Sequence, residues 1–86
     1  MSGNLLIRVR VLEAWDDIAL TLPPDTAIAE VKRQALAAAH VTTDASRYLV
    51  KFRGAELSNE QLTLATQDVP DDAALIVMRR RRVPVR

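Results

Sequence analysis

Apolar and polar residues alternate along "LLIRVRVL", residues 5–12. Leu5, Ile7, Val9 and Val11 fall on one side and Leu6, Arg8, Arg10 and Leu12 on the other, the period-two pattern of a strand with one buried face. The polar stretch "EAWDD" at 13–17 interrupts the pattern, and Ile18, Leu20 and Leu22 resume it, which predicts a second strand after a hairpin-length loop. Pro23 and Pro24 stop that strand, since neither can donate a ladder hydrogen bond. The spacing then changes: Ile28, Val31, Ala35, Leu36 and Ala39 recur at helical intervals through an Ala-rich stretch free of Gly and Pro. This predicts a helix of about four turns ending near His40, with Asp25 or Thr26 as its N-terminal cap. "YLVKF" at 48–52 alternates again, Arg53-Gly54 marks a turn, and "AEL" adds a very short strand. Leu57, Leu64 and Val69 stand as apolar plugs in a polar loop, and "PDD" at 70–72 precedes a last strand, "AALIVMRR".

The predicted order is ββαβ(β)β, with one long helix crossing a mixed sheet of four to five strands, an α+β roll. Eighty-six residues allow one domain, 1–80, followed by a basic tail, 81–86. Such a chain buries only roughly 60–65% of the surface its unfolded form exposes, so every plug in the loop counts. A ferredoxin-like arrangement would want a second helix, and residues 57–72 lack the periodicity to supply one.

The order and punctuation resemble the β-grasp fold of ubiquitin-like proteins. In that family an apolar strand ends in a Pro-Asp-Thr-type turn, followed by a helix beginning I-x-x-V-K. Pro24, Asp25, Thr26, Ile28, Val31 and Lys32 stand here in that sequence. The family's later strand-turn is matched by Val50, Phe52, Gly54 and Leu57, its plugs by Leu64 and Val69, and its final strand by Leu75 and Val77. The resemblance spans residues 5 to about 80. It implies a non-catalytic module that binds other proteins through the exposed side of its sheet. On that side the matches place Leu49, Lys51 and Arg53 from one strand and Ile76, Met78 and Arg80 from another, with Lys51 where the family has its central isoleucine. Strand one adds Arg8 and Arg10, so the expected partner is a protein with an acidic or amphipathic surface. Trp15, at the predicted hairpin tip, either folds back over the sheet edge or stands out as a binding anchor.

Conjugated members of the family end in Gly-Gly, whereas this sequence ends Val83-Pro84-Val85-Arg86 and holds only Gly3 and Gly54. The nearest resemblance is therefore to stand-alone bacterial, YukD-like proteins associated with type VII secretion, which share this length and lack that tail. The Ala- and Arg-rich composition agrees with a bacterial source. Three alternatives stay open: a modifier of a bacterial conjugation system whose tail is missing or atypical, a domain cut from a larger protein, and a basic-tailed nucleic-acid binder.

Charge is distributed unevenly. Twelve Lys and Arg face 11 Asp and Glu, yet five arginines lie in the last eight residues, so residues 1–78 carry −4 and residues 79–86 carry +5. The run of Arg79, Arg80, Arg81 and Arg82 is either a solvated end or a contact for an acidic protein, nucleic acid or anionic lipid.

Catalysis finds little to build on. There is no Cys, and the single histidine, His40, reads as a helix C-terminal cap that complements the dipole. Asp16, Asp17, Asp71 and Asp72 read as turn formers, and no Gly-rich phosphate loop exists. No cofactor or metal is expected. The longest apolar run, "AALIVM" at 73–78, is far below the ~20 residues of a membrane helix, and no apolar leader stands at the N-terminus. A cytoplasmic location without membrane insertion is the expectation.

Overall fold

A computed structural model describes residues 3–12, 14–42 and 44–80. Strands β1 (Leu5–Val11) and β2 (Asp16–Leu22) form an antiparallel hairpin, and helix α1 (Ile28–Ala38) follows. A single 3₁₀ turn at Ala45–Arg47 leads into β3 (Tyr48–Phe52), β4 (Ala55–Glu56) and β5 (Ala73–Arg79). The sheet has five strands in the order β2-β1-β5-β3-β4. β5 runs parallel to β1 and antiparallel to β3, so the sheet is mixed and the ββαβ(β)β expectation of a β-grasp roll is met, with the short optional strand present as β4.

The alternation along β1 does what its sequence dictates: Ile7, Val9 and Val11 are buried, while Leu6, Arg8 and Arg10 face outward. Leu75 and Val77 of β5 and Tyr48 and Val50 of β3 bury the same face against Ile28, Val31, Ala35 and Leu36 of α1. Leu57, Leu64 and Val69 close the core from the loop, as their isolation among polar residues predicts. Fully burying a side chain such as Leu64 contributes about 2–3 kcal/mol, so the loop is held by its plugs without helical structure of its own.

Both ends of α1 depart from the expected capping. Ala27, not Asp25 or Thr26, is the N-cap, and no side chain caps the helix. Its first free amides are satisfied across the chain: Ile28 N donates to Leu62 O and Ala29 N to Glu60 O, both at 2.9 Å. Orphan donors need an acceptor from somewhere, and the loop's carbonyls supply it, reinforced by Leu64 N to Thr26 O at 3.0 Å and Ala65 N to Pro24 O at 2.9 Å. The helix is 11 residues long, about one turn shorter than expected. It ends in a Schellman arrangement, with His40 at φ 61°, His40 N on Ala37 O at 3.1 Å and Val41 N on Leu36 O at 2.9 Å. His40 thus caps through its backbone, and its side chain is exposed. At the β3–β4 turn Arg53 (φ 54°) and Gly54 (φ 81°) form the two-residue connection between paired Phe52 and Ala55, where both central residues must take positive φ. Among the described residues no helix is long and apolar enough to cross a membrane.

Candidate functional site

The register of the sheet sets out its open face. Arg10 of β1 pairs with Asp17 of β2 on one side and with Ile76 of β5 on the other; Ile76 in turn faces Lys51 of β3, and Lys51 faces Glu56 of β4. One row therefore reads Asp17, Arg10, Ile76, Lys51, Glu56, with an apolar residue at the centre and a cation on each side. Met78 and Leu49 oppose each other in the next row. Ile76 is 38% exposed, and Met78, Leu49 and Lys51 are half-buried. Between β2, β1 and β5 the face opens into a hollow of about 390 Å³, lined by Arg8, Arg10, Asp17, Ala19, Ala74 and Ile76. The hollow exists because the small side chains of Ala19 and Ala74 lie on either side of Arg8.

Arg8 and Arg10 lie on this face as expected, but they are not the unopposed rim that the sequence suggests. Arg10 Nε donates to Asp17 Oδ1 at 2.8 Å and its second nitrogen to Oδ2 at 3.3 Å. Those hydrogen bonds hold the Asp17 carboxyl below, and the Arg10 guanidinium above, their ordinary ranges. Arg8 is ion-paired with Asp72. The four carboxylates read as turn formers take three such roles: Asp17 and Asp72 hold arginines, and Asp71 Oδ1 accepts the Leu6 amide at 2.7 Å. Asp16 alone is exposed without a hydrogen bond or ion pair among the described residues.

The remaining cations divide in the same way. Arg53 stands in the β3–β4 turn, its guanidinium 5.0 Å from the Phe52 ring centre. Arg79 lies 5.4 Å from the Tyr48 ring centre. Arg80 donates to Ser46 O at 3.0 Å and reaches Glu56 at 3.3 Å and Glu60 at 3.7 Å. Two of the four arginines offered for nucleic-acid or anionic-lipid contact are thus engaged with the fold, and Arg81 and Arg82 lie outside the described residues. Glu56 is engaged by Arg80, and Lys51 has no ion pair among the described residues.

Lys32 is the functional-group surprise. It is 3% exposed, and its Nζ donates to Tyr48 O at 3.0 Å and lies 2.7 Å from Glu60 Oε1. The same Glu60 caps α1 with its carbonyl, so one buried pair ties helix, loop and β3 together. The signal was present in the spacing: Lys32 stands four residues from both Ile28 and Leu36, on the buried stripe. Trp15, by contrast, does not fold back over the sheet edge; it stands out, 83% exposed. Among the described residues no group of three or more His, Cys, Asp or Glu is placed to hold a metal ion.

No protein-family model matches the chain, and no curated protein matches it. Solved structures do. A de novo protein designed on ubiquitin superposes with a TM-score of 0.79 at 21% identity over 98% of each chain. Ubiquitin of Caldiarchaeum subterraneum gives 0.78 at 16% identity, over 95% of this chain and 100% of that one. A ubiquitin-like domain of Plasmodium falciparum gives 0.72 at 18%, over 90% and 99%. At such identities the likeness speaks for architecture, and the architecture is the ubiquitin-like β-grasp fold.

Proposed function

We propose that the chain is a non-catalytic protein–protein interaction module whose working surface is the open face of the sheet. Ile76 and Met78 of β5 and Leu49 and Lys51 of β3 form its centre, and Arg8 and Arg10 form a rim. The observation that carries this reading is Ile76: it is 38% exposed on a strand flanked on both sides, at one register between Arg10 and Lys51. Apolar surface framed by polar groups is how interaction patches are built. The pairing of Arg8 with Asp72 and of Arg10 with Asp17 reduces the rim's net attraction, so the surface suits an amphipathic partner that offers apolar contact and a carboxylate for Lys51.

Amine footprinting tests this directly, because the sequence has two lysines and Lys32 is buried as an internal control. Partner binding should protect Lys51 from acylation. Equal labelling of Lys51 in the free and bound protein would contradict the assignment.

The finer role we carry forward is that of a cytoplasmic accessory to a bacterial type VII-like secretion system. It rests on the sequence resemblance to stand-alone ubiquitin-like proteins. Genes for secretion ATPases and membrane channels beside this one would support it; genes for activating and conjugating enzymes would favour a modifier instead.

A further inference from the structure

Trp15 is unexplained by the fold. The β1–β2 turn holds it at φ 54°, a region bulky side chains avoid, closed by Trp15 N to Leu12 O and Ala14 N to Val11 O, each at 3.2 Å. The indole is 83% exposed, so it gains little from burial. Neither backbone preference nor packing therefore favours tryptophan at this position. Its neighbour Asp16 is exposed with no hydrogen bond or ion pair among the described residues, while the following carboxylate, Asp17, is already occupied by Arg10. Among the described residues the tip thus presents an open aromatic ring next to one uncommitted carboxylate, and the cation on the neighbouring strand, Arg10, is already paired.

We propose that this turn is a second contact site, separate from the open sheet face, that receives an arginine of a partner protein. The guanidinium stacks on the Trp15 ring and donates to the Asp16 carboxylate. Trp is the strongest aromatic acceptor of a cation, and a planar guanidinium satisfies a ring face and a carboxylate together. The two sites then differ in sign: Lys51 on the sheet face takes an acid of the partner, the turn takes a base, and the pair fixes the partner's orientation.

The test uses the full chain and its single tryptophan. A capped Gly-Arg-Gly peptide is titrated against Trp15 fluorescence, with Gly-Gln-Gly as the neutral control and a thermal melt of each variant. The arginine peptide should change the emission saturably and the glutamine peptide should not. Asp16→Asn should weaken binding about two- to fivefold, the range of an exposed cation–aromatic or ion-pair contact, and Trp15→Leu should abolish the calorimetric heat. The Ile76→Ser/Met78→Ser variant should bind the peptide as the parent does, so failure here and failure of the sheet-face reading are separable. An equal response to the glutamine peptide would overturn the proposal. So would an arginine response that survives Asp16→Asn unchanged but is lost with Ile76→Ser/Met78→Ser.

Discussion

Arg10 and Asp17 are cross-strand partners on β1 and β2, and the arginine holds the carboxylate through two hydrogen bonds, 2.8 and 3.3 Å long. The side chain that the sequence offers as a free positive rim is therefore neutralised within its own hairpin. Replacing Asp17 by Asn should release it. Because the pair is exposed and screened by solvent, the melting temperature should stay close to that of the parent. Retention on a cation exchanger should rise beyond that of Asp25→Asn, which makes the same charge change at an exposed aspartate. Identical elution of the two variants would mean that Arg10 was never masked.

Acid titration should reveal a second pairing. Arg33, and after it Gln34, hydrogen-bond the Glu30 carboxylate and lower its pKa from 4.5 to about 2. Arg10 lowers Asp17, and the Ser46 backbone amide leads the lowering of Asp44. A carboxyl with a depressed folded pKa stabilises the fold above its unfolded value and loses that stabilisation as pH falls through the folded one. The melting temperature should thus decline from about pH 4.5 towards 2, and Glu30→Gln should flatten the decline in that window. Parallel curves for variant and parent would contradict the assignment.

Lys32 should matter more than any exposed ion pair. Truncation to Ala leaves Glu60 partly buried with its main partner gone and the Tyr48 carbonyl without its donor. Breaking a buried pair from one side costs about 3–5 kcal/mol, which for a domain of this size lowers the melting temperature by roughly 12 °C or more. A loss of only a degree or two would show that the pair does not hold the helix to the loop.

Much of the fold was legible because burial follows short-range period. Ile7, Val9 and Val11 alternate, Ile28, Val31 and Ala35 recur at helical spacing, and each pattern names its buried face without knowledge of the partner element. What stayed hidden depends on residues far apart in sequence. Asp25 and Thr26 are sound caps by residue type, yet the amides of Ile28 and Ala29 found carbonyls more than 30 residues away at Leu62 and Glu60. Arg8 meets Asp72 across a separation of 64, set by the parallel register of β1 and β5. Lys32 was the intermediate case, since its place on the apolar stripe was readable while its partner was not. The open face was readable as a set of residues through the family resemblance, whose matches place Leu49, Lys51, Ile76 and Met78 on one side, and the strand register brings them together there. Its electrostatics required the register.

The central claim is that this face binds a partner, and one variant tests it most directly. Ile76 and Met78 point away from the core that Leu75 and Val77 fill, so Ile76→Ser/Met78→Ser removes contact area without opening a cavity. The double variant should melt close to the parent, while calorimetric titration with the partner should show weaker binding, ~1–2 kcal/mol for each side chain that acts as an anchor. Undiminished binding by the folded double variant would contradict the account.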